Sequence, residues 1–139
     1  MRNSTILLSL LAILCSVVAD SREVVTRLSG SGSSTTREFE VEAPWILDWR
    51  VNSDYPQSMA IEISLVDADT GFHQGLIVQT KQRGDGVKLF RQGGRYRFRI
   101  SSTLTYWDLR IEELTPQEAE AYTPKRSGPG DKMLGSSGN

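Results

Sequence analysis

The chain has only one cysteine and one histidine, and this composition excludes several kinds of covalent link, catalytic site and metal site. Its 139 residues include one cysteine, Cys15, and one histidine, His73. Because Cys15 lies in the N-terminal apolar stretch, the rest of the chain has no thiol for a disulfide, a nucleophile or a metal site. One histidine is also too few for a multi-histidine zinc site. The stability of the folded part must therefore come from its apolar core.

The sequence also has neither a surplus of one charge nor a long apolar run. Sixteen Lys and Arg residues against 17 Asp and Glu residues leave a formal charge of -1, which gives no reason to expect nucleic acid or an anionic membrane as partner. The apolar stretch at residues 6–18 is shorter than the about 20 residues of a transmembrane helix. We expect no nucleic-acid partner and no membrane insertion after cleavage of this stretch.

The N-terminus has the three parts of a secretory signal. Arg2 precedes the apolar stretch, and Val17 and Ala19 form a small-residue cleavage site before polar residues. This pattern predicts a signal peptide over residues 1–19 and export to the periplasm or the medium. Lipoprotein anchoring at Cys15 is the alternative, but the residues before it include a bulky leucine, Leu14, where such signals carry a small residue.

Most of the remaining chain alternates between apolar and charged residues with a period of two. This alternation predicts strands with one buried and one solvent-exposed face. Gly-containing turns separate the segments, and the pattern predicts an all-β fold: an antiparallel β-sandwich, jelly-roll-like or a flattened barrel, of seven to eight strands. The core of the sandwich is expected over residues 37–114. The predicted inward residues are Phe39, Val41, Trp45, Leu47, Trp49, Val51, Tyr96, Phe98, Ile100, Trp107, Leu109 and Ile111.

Turn-forming residues set the expected boundaries. Residues 20–36 predict a first strand followed by a Gly/Ser loop over 29–36, and Gly84 to Gly86 predict a turn. Ile46 breaks the alternation, and we expect a loop to cover it. Residues 115–122 predict a short helix with Thr115 as its N-cap. The tail at 123–139, rich in Gly, Ser, Pro and charge, is expected to be disordered.

Outward-facing arginines form the first candidate binding site. Three lie on one predicted strand and two on others, and together they would suit acidic glycans, phosphate groups or an acidic partner. The alternative is a solvated face on which the arginines pair across strands with acidic residues. The five candidates are Arg50, Arg95, Arg97, Arg99 and Arg110.

Exposed aromatic rings form the second candidate site, because they would stack against sugar rings. All three tryptophans share the parity of aliphatic core residues, which favours core packing. Trp49 is the tryptophan expected to reach a rim. An aromatic platform would therefore consist of Trp49, Tyr55 and Tyr106.

Other candidate sites have weaker patterns. Asp67 and Asp69 precede a glycine and would form a partial calcium site, with Asp85 as a further ligand, but Val78 stands where a helix-loop-helix calcium loop needs its glutamate. An ordinary hairpin turn is the alternative. His73 is not accompanied by a nucleophile motif. We expect no enzymatic activity and no cofactor.

The spacing of aromatic residues and glycines resembles that of small exported bacterial β-sandwich domains of unknown function. The resemblance covers about residues 35–113 and implies fold and location; it carries no catalytic residues. The positions that carry it are Phe39, Val41, Trp45, Leu47, Trp49, Gly94, Tyr96, Phe98, Ile100, Trp107, Leu109 and Ile111.

Two functions remain open from the sequence. The first is a non-enzymatic exported module that binds a protein or a cell-envelope component through the arginine face or the loops. The second is a carbohydrate-binding module that uses exposed aromatic residues.

Overall fold

The alternating segments become strands because successive side chains of an extended chain point to opposite faces, one towards the core and one towards water. The computed structural model describes residues 23–123, so the predicted signal peptide, Cys15 and the tail beyond Thr123 lie outside it. The prediction of an all-β sandwich with a short C-terminal helix is confirmed. The described residues form β1 (Glu23–Ser31), β2 (Ser34–Thr35), β3 (Phe39–Val41), β4 (Trp45–Asn52), β5 (Ala60–Asp67), β6 (His73–Thr80), β7 (Gly84–Phe90), β8 (Gly94–Thr103), β9 (Tyr106–Glu113) and α1 (Pro116–Glu120).

The strands form two antiparallel sheets rather than one sheet closed on itself. Sheet I has the order β1-β9-β4-β7. Sheet II has the order β2-β8-β5-β6, and β3 pairs with a second part of β8. The chain passes from sheet II to sheet I between β3 and β4, at Pro44, and returns between β4 and β5. Strands that are far apart in sequence therefore become neighbours, above all β1, β9 and β4.

The inner faces of the two sheets form one apolar core. Trp45 is fully buried (0% exposed) and stacks on Phe90 of the neighbouring strand, with ring centroids 4.0 Å apart. Its indole N–H donates to the main-chain oxygen of Gln92 at 3.0 Å. Trp107 is buried too, and Trp49 is partly buried against the same core. The prediction that the tryptophans belong to the core is confirmed.

The predicted Gly/Ser loop over 29–36 is largely wrong. β1 continues to Ser31 and pairs with β9, so that Gly30 lies opposite Trp107. A Cβ at Gly30 would stand 2.6 Å from the indole ring of Trp107. Gly30 therefore leaves room for the indole ring of Trp107 within the sheet and does not form part of a loop. The turn itself lies at Gly32, whose φ of +73° suits glycine.

The predicted turn at Gly84 to Gly86 is also wrong, for the same physical reason. These residues begin β7 and pair with the end of β4, with Gly86 opposite Trp49. A Cβ at Gly86 would stand 2.7 Å from the ring of Trp49. Glycine at this position again leaves room for an indole on the neighbouring strand.

A short helix closes one end of sheet I. Thr115 is its N-cap, as the sequence indicated, and the structure shows that it also forms a capping box with Glu118. The helix ends at Glu120, two residues before the predicted end. Ala119 and Leu114 pack on Ile46 in a second apolar cluster. Ile46 is therefore covered by α1 and the segment before it, and not by a loop as expected.

Candidate functional site

The structure divides the five candidate arginines between opposite faces of the sandwich. Three of them lie on β8, on the outer face of sheet II. Arg50 on β4 and Arg110 on β9 lie on the outer face of sheet I. The single arginine face expected from the sequence is therefore wrong, because β8 belongs to a different sheet from β4 and β9.

Ion pairs already engage most of the arginine row on β8. Arg95 contacts Glu38 at 2.9 Å and Asp69 at 3.1 Å, and Arg97 contacts Glu38 at 3.6 Å. The hydrogen bond to Glu38 and the charge of Asp69 raise the pKa of Arg95 above its ordinary value. In the described part of the chain, Arg99 forms no ion pair. This row mainly ties the segment before β3 and the β5–β6 turn to β8.

The two carboxylates of the calcium candidate's turn have partners within the protein. One oxygen of Asp67 accepts hydrogen bonds from the amides of Asp69 and Thr70 and from the Thr70 hydroxyl. The bonds from Thr70 lower the pKa of Asp67. Asp69 is held by Arg95, and Asp85 lies on β7 in the other sheet. Over residues 23–123 no cluster of three or more potential metal ligands occurs. The arrangement is that of a hairpin turn.

The outer face of sheet I carries a grid of charged residues of both signs. Across β4 and β9, Asp48 lies opposite Arg110 and Arg50 lies opposite Asp108. Across β9 and β1, Arg27 lies opposite Arg110. Directly opposed residues have Cβ atoms about 4.5–5.5 Å apart. Hydrogen-bond donors and acceptors therefore lie side by side across β4 and β9, whereas Arg27 and Arg110 place donors next to donors across β1 and β9.

Most of this grid is not used for internal pairing. Arg110 is the exception: its Nε lies 2.6 Å from a carboxylate oxygen of Glu112, whose side chain is buried. The N–H is not directed at that oxygen, so the contact is an ion pair rather than a hydrogen bond. The other four charged residues of the grid form no ion pair or side-chain hydrogen bond with any residue from 23 to 123. Their hydrogen-bonding capacity is open to solvent or to a ligand.

Polar and aromatic residues extend the grid towards one end of the sheet. Tyr106 of β9 lies between Ser31 of β1 and Asn52 of β4. Two adjoining depressions of about 290 and about 420 Å³ share Arg50 and Asp108. We call this surface the sheet I cleft; its outward side chains are Arg27, Ser29, Ser31, Asp48, Arg50, Asn52, Tyr106, Asp108 and Arg110.

Loops at the same end place further apolar surface beside the cleft. Tyr106 is 51% exposed, and its hydroxyl donates to Asp54 at 2.9 Å. Tyr55, 62% exposed, follows Asp54 in the same loop and contributes to the electrostatic field at Tyr106. Leu104 is exposed too and has a φ of +48°, a conformation that bulky residues rarely adopt. Its carbonyl oxygen accepts a hydrogen bond from Ser53, which holds this turn against the loop.

Trp49 does not belong to this aromatic surface. It points to the inner face of sheet I and lies over Gly86, whereas Tyr106 is on the outer face. The structure therefore brings together Tyr55 and Tyr106 from the predicted platform and Arg50 and Arg110 from the predicted arginine face.

The sequence did not single out six members of the cleft, of which Ser29 and Ser31 lay in the predicted Gly/Ser loop. Asp48 and Asp108 were recognisable as outward strand residues, and Arg27 lay in the predicted first strand, but none was grouped with Tyr106. Asn52 ends β4 and gave no separate signal. Their grouping depends on β9 lying between β1 and β4, and no local pattern encodes that order.

Tyr106 is expected to ionise at a higher pH than an ordinary tyrosine. The hydrogen bond to Asp54, followed by the negative charge of that carboxylate, raises the pKa of Tyr106 above 10.0, because both favour the neutral phenol. An ultraviolet titration compared with that of Tyr106→Phe isolates this group. Asp54→Asn should move the midpoint down towards the ordinary value. An unchanged midpoint would show that Asp54 does not act on Tyr106 in solution.

Comparison with known proteins supplies no functional assignment, so the assignment rests on the fold and on the geometry of the sheet I cleft. No protein-family model matches the chain, and no curated protein is significantly similar to it. From residue 23 to residue 123, the chain contains no helix with the length and apolar character needed to span a bilayer.

Proposed function

We propose that this protein is an exported, non-enzymatic module that binds a glycan in the sheet I cleft. The observation that carries the proposal is the position of exposed Tyr106 in one depression with Arg50 and Asp108, which form no ion pair or side-chain hydrogen bond within residues 23–123. Such a surface offers a flat ring for the C–H face of a sugar and both donors and acceptors for its hydroxyl groups.

The charge pattern favours a ligand rich in hydroxyl groups over a simple anion. Three arginines and two aspartates lie together in the cleft, and opposite charges face each other across β4 and β9. An anion would gain from the arginines but would be repelled by Asp48 and Asp108. Vicinal hydroxyl groups suit these neighbouring donors and acceptors because each hydroxyl both donates and accepts. Tyr106 remains neutral at physiological pH, so its ring adds no repulsion.

Sequence and geometry both support a binding role rather than catalysis. The N-terminal signal pattern supports export, in which case the ligand would lie in the cell envelope or outside the cell. His73 begins β6 in sheet II, away from the cleft in sheet I. The cleft is a shallow surface formed by rigid strands, and rigid elements hold a binding site without much ordering cost.

Glycan-array screening followed by calorimetry would test the proposal. We expect Tyr106→Ala to weaken binding of the best neutral oligosaccharide at least ten-fold, which corresponds to about 1.4 kcal/mol. Arg50→Ala should also weaken binding, since it removes donors at the centre of the cleft. Phe72→Ala is the matched control, because Phe72 is 72% exposed but follows β5 in sheet II.

Two results would contradict the glycan proposal. One is the absence of binding to any glycan at millimolar concentration; the other is binding that Tyr106→Ala and Arg50→Ala leave unchanged. Capture of an acidic envelope component that depends on Arg99 and not on Tyr106 would favour the alternative site on β8. That alternative has one supporting observation: Arg99 has no ion pair in the described part of the chain.

A further inference from the structure

β6 differs from the other strands at the edges of the two sheets. Within residues 23–123 it pairs only with β5, and its eight residues include no Asp, Glu, Lys or Arg. The edge strands of sheet I carry charges, on β1 and on β7, and the opposite edge of sheet II is split into the short strands β2 and β3. Charges, short strands and bulges are the usual protection of an edge against pairing with another chain. β6 has neither charges nor a short length, and its protection is limited to two bulges, at Gln74 and Ile77, in its pairing with β5.

The exposed side of β6 also carries apolar surface. Leu76, near the middle of the strand, is 43% exposed and lies opposite Ser64. Phe72, the residue before the strand, is more exposed still. Lys88 of β7 reaches the main-chain oxygen of Leu76 at 3.5 Å, which is at the limit of a hydrogen bond. This contact gives the edge little protection, since a strand amide would replace it at shorter distance.

Charges at the two ends of β6 are of opposite sign. The turn before it contains Asp67 and Asp69, and the connection after it contains Lys81 and Arg83. Among residues 23–123, neither Lys81 nor Arg83 forms an ion pair. Asp69 uses one carboxylate oxygen for Arg95 and retains the other. An antiparallel copy of the same strand would bring the acidic end of one next to the basic end of the other.

We propose that two copies of this chain associate through antiparallel pairing of β6 with β6. A two-fold axis at Leu76 places this side chain against its own copy on the outer face of sheet II. The same arrangement brings the acidic turn before β6 of one copy towards the basic connection after β6 of the other. β6 itself brings no like charges to the contact, and the two Lys88 side chains, which reach the main-chain oxygen of Leu76, would turn away from the axis. Sheet II of one copy and sheet II of the other would then form one continuous sheet.

Pairing through β6 would leave the sheet I cleft of each copy accessible. The sheet I cleft is formed by β1, β9 and β4, and none of these strands takes part. A dimer would therefore present two clefts, and a repeated ligand would be held with increased avidity. The self-association itself does not depend on what the cleft binds.

Sedimentation velocity over a concentration series tests the pairing directly on protein expressed from the full-length sequence. We expect a concentration-dependent dimer whose dissociation constant rises at least ten-fold in Leu76→Lys, since two lysines would then face each other. Val87→Lys is the matched control, because Val87 is similarly exposed (48%) on the edge strand β7. It should leave the dimer intact.

Cysteine cross-linking supplies a second measurement that does not depend on a destabilising charge. In a Cys15→Ser background, which removes the only native cysteine, Leu76→Cys should form a disulfide-linked dimer on mild oxidation and Val87→Cys should not. A chain that stays monomeric at all concentrations without cross-linking would overturn the proposal. So would a dimer that Leu76→Lys leaves unchanged or that Val87→Lys weakens equally.

Discussion

Truncation of Trp45 to alanine is expected to lower the free energy of unfolding by about 3–5 kcal/mol. The indole is fully buried, stacks on Phe90 and meets the edge of Phe39 with centroids 5.8 Å apart. Alanine would leave a cavity between the two sheets and leave the main-chain oxygen of Gln92 without its indole donor. Because small domains have a total stability of about 5–15 kcal/mol, this single change would bring the chain close to unfolding.

Urea denaturation followed by circular dichroism would measure the effect without relying on the missing fluorophore. Tyr55→Ala is the control, since it removes an aromatic ring of which 62% is exposed, and a surface change of this kind alters stability by no more than about 0.5 kcal/mol. A loss below about 1 kcal/mol for Trp45→Ala would mean that the core can collapse around the missing ring.

Substitution of Gly30 by alanine is expected to cost about 1–3 kcal/mol, although alanine is a small residue. Its Cβ would stand 2.6 Å from an indole carbon of Trp107. The ring cannot move freely, because it is buried and its N–H donates to the main-chain oxygen of Gly32 at 3.1 Å. The strand or the ring would have to shift, and the pairing of β1 with β9 would weaken.

Two other strand glycines provide matched controls for this prediction. An added Cβ at Gly75 or Gly84 meets nothing within 4 Å, so alanine there should be neutral or should stabilise by about 0.4–1 kcal/mol. In a Trp107→Leu background, the cost of Gly30→Ala should fall, because the clash partner is smaller. Equal effects at Gly30 and Gly75 would rule out the proposed steric contact.

The two incorrect turn predictions have one cause. Gly30 and Gly86 both lie in segments whose composition is typical of loops, yet each lies opposite a tryptophan of a neighbouring strand. A segment rich in glycine and serine indicates a backbone that bends easily. It does not show that the indole ring of a neighbouring strand occupies the space that a glycine Cβ would fill. Glycine in a strand often marks such a close approach. The partner ring is identified only when the strand order is known.

The candidate site combines halves of two hypotheses that the sequence kept apart. Arg110 and Tyr106 lie on one strand, and Arg50 on the next, so the sheet brings an arginine face and an aromatic platform into one cleft. Export and the resemblance to small exported β-sandwich domains remain predictions, and they agree with a ligand outside the cytoplasm.

The alternation of residues decided which side of each strand is buried, because the direction of side chains in an extended chain depends only on parity. For this reason the core tryptophans and the outward arginines could be derived from local patterns. The C-terminal helix could be derived from its N-cap residue and the proline that follows it. Strand order could not, because pairing between β1, β9 and β4 joins segments that are far apart in the chain. Tertiary structure alone decided that Arg95 and Arg110 face opposite sides of the molecule, and that Tyr106 lies beside Arg50 and Asp108, which have no ion-pair partner among the described residues.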